Sequence, residues 1–141
     1  KLIKKYFFDV VLLNSKADNT TYQDGQISTL FIDRGYSEWA VKSSVKYSFH
    51  RKSFFDATGL NISIYKRKYS SKDAMDLLHI DRKHIDSMFN LWLKSKFHKF
   101  TYRLSIILRN RKTDSPYIWV EDLKSFKKYE VTFQLSYRLS I

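Results

Sequence analysis

The 141-residue chain has no cysteine, one proline, three glycines and four alanines. Without cysteine there is no disulfide scaffold, no thiolate-held zinc or iron–sulfur site and no thiol nucleophile. Three isolated glycines cannot build a phosphate-binding loop. Long apolar runs are also missing: the longest cover four or five residues, such as Val10 to Leu13, so no helix here spans a bilayer. The four histidines, at 50, 79, 84 and 98, lack the His-Glu-x-x-His spacing and any paired ligand arrangement, so neither metal nor cofactor is expected. Asp114 with Asp122-Leu-Lys124 weakly resembles a metal-dependent nuclease arrangement, but Glu121-Asp122 reads equally well as a helix N-terminus. A non-enzymatic protein is the expectation.

What the chain does have is large side chains and positive charge. Apolar residues make up 43% and aromatics 17%, enough to exclude the disordered class and to fill a core in one domain, 1–141. The composition (18 Lys and 17 Ser) suits an AT-rich coding genome. Lys1, Lys4 and Lys5 precede an apolar stretch broken at Asp9, which is not a signal-peptide pattern. A chain beginning with Lys reads as a processed product or an excised fragment. An intracellular location (cytoplasm, nucleoid or organelle) is expected.

The net charge is +12, and its distribution is uneven. Residues 1–60 carry nine basic and six acidic groups, residues 61–112 thirteen and four, and residues 113–141 four and four. The excess therefore belongs to the middle third, where it is interleaved with Tyr65, Tyr69, Phe97, Phe100 and Tyr102. Such interleaving predicts an anion-binding surface, with nucleic acid as the commonest polyanion.

An apolar, β-branched run predicts a strand over Tyr6–Leu13, weak alternation one over Ile27–Ile32, and period-two alternation one over Trp39–Phe49, with another short strand at Ile62–Tyr65. At Ser70 the pattern changes. Ala74, Leu77 and Leu78, then Ile85, Met88, Phe89, Trp92 and Leu93 follow helical spacing. This predicts helices at about Lys72–Leu78 and Arg82–Lys96, with Ser71 and Asp81 as N-caps. Strands return over Phe100–Leu108, Tyr117–Val120 and Val131–Ile141, with a polar loop at Arg109–Ser115 and a helical turn near Glu121–Phe126. Tyr-Arg-Leu-Ser-Ile occurs at 102–106 and 137–141, which reads as two similar strands and not as a duplication. The predicted class is α+β, largely antiparallel, with a central helical pair: 1–69 mainly β, 70–98 helical, 99–141 mainly β.

The segment Ser71 to Met88 resembles the helix-turn-helix of DNA-binding proteins. With the following segment to Phe126, including Asp122-Leu123, it resembles the winged excisionase and MerR-like group. That resemblance implies that Arg82, Lys83, His84 and Ser87 face bases, while Lys94, Lys96, Arg109, Arg111 and Lys112 touch phosphates. Lys66, Arg67, Lys68, Lys72, Lys99 and Arg103 extend the basic surface. Upstream, Gly25 to Trp39, with Phe31, Ile32, Asp33, Gly35 and Glu38, resembles the core strands of Tudor domains, although Arg34 stands where that family places a cage Tyr. The expectation is a nucleic-acid-binding protein, with DNA favoured as partner. RNA binding within a ribonucleoprotein, such as an organellar ribosome, and a Tudor-like protein-interaction module are the alternatives. Protein partners in a larger assembly are compatible with all three.

Overall fold

A computed structural model describes residues 6–17, 35–49, 54–72, 74 and 76–138. Among them, six strands form one antiparallel sheet: β1 (Tyr6–Ala17), β2 (Tyr36–Ser48), β3 (Ala57–Tyr69), β4 (Lys83–Phe97), β5 (Phe100–Asp114) and β6 (Phe126–Tyr137). One short helix, α1 (Ile118–Lys124), stands between β5 and β6. The strand order is β1-β2-β3-β4-β5-β6, so each strand pairs with its neighbour in sequence and β1 and β6 are the edges.

This overturns the α+β expectation and its helical pair. The segment expected to form the second helix is β4, paired along its length with β3 and β5. The reason lies in the sequence itself. Ile85, Phe89, Leu91, Leu93 and Phe97 alternate on one face of β4, interrupted by Ser87 and Ser95, while Met88 and Trp92 belong to the other face. Helical spacing emerged only by combining residues from both faces. Pairing with strands on both sides supplies hydrogen bonds to every second residue of each edge, and that tertiary term outweighs local periodicity. The first expected helix is likewise a turn-rich connection between Tyr69 and Lys83, with Asp81 in the left-handed region at φ 47° and not at an N-cap.

With no helical pair, the winged helix-turn-helix resemblance over 71–126 fails, because the recognition helix is a strand inside a sheet. The Tudor-like resemblance fails too. Its residues 25–34, with the strand expected at Ile27–Ile32, lie outside the described residues, and Gly35 to Trp39 lead into a 13-residue strand of a long meander. The expected loop Arg109–Ser115 is mostly strand, since β5 continues to Asp114, and the expected strand Tyr117–Val120 is largely the start of α1.

Two dimensions set this sheet apart. The strands run 12 to 15 residues, against a usual length of about five or six. Their connections alternate in length: 18, 13 and 11 residues at the end where β1–β2, β3–β4 and β5–β6 are joined, but 8 and 2 at the opposite end. The two-residue turn holds His98 at φ 53°.

A second layer to form a core is absent among the described residues. Among the described residues, three hydrophobic ones are buried, Ala40, Ala57 and Val120, against 31 exposed large ones. The accessible surface is 11400 Å², where a compact protein of this mass exposes about 7,700 Å².

Candidate functional site

Because side chains alternate across a strand, the pairing register sorts the whole sheet into two faces. On one face the rows read across β1 to β6 as Phe8, Val45, Leu60, Leu91, Ile106, Val131, and next as Val10, Ser43, Ile62, Phe89, Leu108, Tyr129. Their large members are mostly exposed; Phe8 and Val131 reach 72%.

The apolar face has different borders at its two ends. Toward the short turns it becomes aromatic: Tyr6, Tyr47, Phe97, Phe100, Tyr102, Phe133 and Tyr137. Directly opposite pairs are in ring contact, Tyr6–Tyr47 at 4.8 Å and Phe100–Tyr137 at 5.0 Å. Toward the long connections it becomes cationic, with Lys16, Lys66, Lys68, Lys83, Lys112 and Lys127. Six rows, from Phe97–Phe100–Tyr137 to Leu12–Val41–Ile64, take in the aromatic border and the apolar rows and end at the row where Lys127 begins the cationic border. At about 3.3 Å per residue and a strand tilt of about 45°, they cover roughly 23 Å.

The other face is mostly polar, except along β1, where the exposed Phe7, Val11 and Leu13 belong to it. Toward the long connections most of its charges are paired, while Lys42 lies over the Tyr65 ring at 5.4 Å. Arg67 donates to Glu38 at 2.9 and 2.7 Å. Arg111 makes a two-pronged contact with Asp86 at 2.6 and 2.8 Å. Arg109 lies 3.6 Å from Glu130, which also pairs with Lys128. Guanidinium groups sit over rings as well: Arg67 on Tyr36 at 4.0 Å and Arg111 on Phe126 at 5.2 Å. Toward the short turns, Lys46, Lys94, Lys96 and Arg103 occupy the polar face with no acidic residue in their rows. Here Trp92 lies flat over Gly59, where an added Cβ would meet the indole at 2.3 Å. Arg103 stacks on the same indole at 4.7 Å.

The candidate site residues expected from the sequence are therefore scattered over both faces. Lys66, Lys68, Lys83 and Lys112 lie on the apolar face at its cationic border, and Ser87 lies on that face too. Arg67, Arg109, Arg111, Lys94, Lys96 and Arg103 lie on the polar face. Lys72 is exposed in the β3–β4 connection, and Lys99 sits in the two-residue turn. Arg82 and His84, assigned to base contacts, are 4% and 2% exposed. Arg82 stacks on Tyr69 at 4.0 Å, and the His84 ring nitrogen Nδ1 is 2.9 Å from Thr113 Oγ1. Arg82 thus ties the β3–β4 connection to Tyr69 near the Asp76–His79 contact of 2.9 Å, while His84 ties β4 to β5. Asp86 and Glu130 are not singled out by any sequence pattern, and Glu38 only by the Tudor-like resemblance, not as an ion-pair partner. Their role depends on register: Asp86 meets Arg111 only because β4 and β5 pair in this frame.

No cluster of His, Asp or Glu suited to a metal ion occurs among the described residues. Among the described residues no helix is long and apolar enough to cross a membrane, a criterion that does not address strands. The chain matches no family model, no curated protein and no solved structure.

Proposed function

We propose that this sheet is part of the wall of an outer-membrane-type transmembrane β-barrel, with its apolar face against lipid and its polar face toward a water-accessible lumen. One observation carries the reading: a single sheet whose apolar side is bounded by an aromatic border at one end and a lysine border at the other. Such barrels present an apolar band about 25 Å tall flanked by interfacial girdles, and the roughly 23 Å covered here by the aromatic border and the apolar rows together is of that order. Lysine ammonium groups at a border reach lipid phosphates while their stems remain in hydrocarbon. The alternation of long and short connections is also the barrel pattern.

Energetics support the same occupant. In water, an uncovered apolar face of this extent on long strands is an aggregation surface. In lipid it carries no such penalty, and the antiparallel ladder satisfies the backbone polar groups within the wall. Small residues on the polar face, Ala40, Ala57, Ser63 and Ser105, are buried, as expected of a sheet curled about that side. Six strands are fewer than the eight of the smallest such barrels, so in this proposal β1 and β6 pair with further strands.

A second proposal keeps nucleic acid as the partner, DNA or RNA. The observation favouring it is the stacking of Arg67, Arg82, Arg103 and Arg111 on aromatic rings, a chemistry used on single strands. It leaves the apolar face uncovered and divides the cations between two sides.

Tryptophan placement separates the two. Trp39 lies on the apolar face near its lysine border and Trp92 on the polar face. In phospholipid vesicles brominated on their acyl chains, a protein retaining only Trp39 should be quenched and one retaining only Trp92 should not. Equal quenching of both, or no vesicle association combined with salt-sensitive binding to nucleic acid, would overturn the membrane reading.

A further inference from the structure

We propose that the short-turn half of the polar face is an anion-recognising stretch of the lumen, selective for small oxyanions such as phosphate and carboxylates. This rests on the barrel-wall reading and adds a ligand class to it. The two halves of that face differ in how their cations are partnered. Toward the long connections, Arg67, Arg109 and Arg111 each lie against a carboxylate, so their charge is spent within the protein, and of the strand cations there Lys42 alone has no carboxylate within 4 Å among the described residues. Toward the short turns, Lys46, Lys94, Lys96 and Arg103 have no carboxylate within 4 Å among the described residues.

Four cations share one end of a sheet face, and like charges so arranged repel unless an anion joins them. Arg103 is also pre-positioned. Its guanidinium rests on Trp92, the indole rests on Gly59, and Thr58 Oγ1 donates to the Trp92 carbonyl at 2.8 Å. A planar fork held by stacking and lacking an acceptor among the described residues is suited to two-pronged binding of a carboxylate or phosphate. Neighbouring positions of that face, Ser105, Thr132 and Gln134, offer neutral hydrogen-bonding groups and no negative charge. Charged rings of this sign select anions in pores.

The test is conductance of the protein in a planar bilayer under a potassium chloride gradient. The reversal potential should report chloride preference, and added inorganic phosphate should reduce the chloride current. With Lys94→Glu and Arg103→Glu together, the chloride-to-potassium permeability ratio should fall by about tenfold, the low end of what a focused field achieves in a cleft. Lys94→Gln with Arg103→Gln should show a smaller shift of the same sign, which covers the case in which the glutamate pair fails to assemble. Exchanging the Asp86 and Arg111 side chains should leave selectivity unchanged. Cation preference, selectivity indifferent to Arg103, or a membrane-inserted protein without conductance would overturn this inference. In each case the barrel-wall reading would still be decided separately by the quenching of Trp39 and Trp92.

Discussion

The two faces of this sheet share one backbone and differ by a single residue step. In β4, Phe89 and Leu91 stand on the apolar side, with Asn90 between them on the polar side. The apolar side has graded borders and almost no charge in its middle; the polar side has a ladder of ion pairs that ends in a group of cations. The difference teaches that hydropathy averaged along the strand means little here, since every second residue belongs to another solvent.

That comparison can be broken most severely by putting charge on the wrong side. Leu91→Arg, in the middle of the apolar rows, should cost about 2–4 kcal/mol of folding free energy in lipid vesicles. Asn90→Arg, one residue away, should cost far less, and similar losses for both would sink the assignment of faces. Next in size is Gly59→Ala. The added Cβ would meet the Trp92 ring at 2.3 Å, and forcing the indole aside should cost about 1–3 kcal/mol. A Gly59→Ala, Trp92→Ala double variant should recover most of the cost of the clash.

Smaller effects sharpen the polar side. Asp86→Ala removes the partner of Arg111, and because both side chains are near 30% exposed, a loss of about 1 kcal/mol is expected. A double-mutant cycle with Arg111→Ala measures the pair directly, and a coupling near zero would remove it from the ladder. The smallest change lies where the faces meet at the tight turn. His98 is held at φ 53°, so His98→Gly should stabilise the β4–β5 hairpin by about 1 kcal/mol, read from the denaturant midpoint.

Several elements were legible in the residues. Trp39, Val41, Val45 and Tyr47 announced β2 by strict alternation, and Phe100 to Leu108 announced β5 in the same way. β4 was not legible. Ser87 and Ser95 interrupt its apolar face, while Met88 and Trp92 on the opposite face complete a helical spacing. Short apolar sequences satisfy both periods, and only pairing partners decide between them. The basic character of the middle third was visible, but its division was not. Lys66, Arg67 and Lys68 are adjacent in sequence and alternate between the lysine border, the Glu38 ion pair and the lysine border again.

By itself, the sequence determined the absence of thiol chemistry, the large aromatic content, the basic middle third and most strand positions, because these follow from residue type and short-range alternation. The tertiary structure alone decided that the alternating residues join into two continuous faces. Face membership depends on the register between strands, and a one-residue slip would carry every apolar side chain to the polar side. Register also selected which cations meet carboxylates and left Lys46, Lys94, Lys96 and Arg103 without one among the described residues. Those assignments are long-range pairings across the sheet, and no local stretch of residues encodes them.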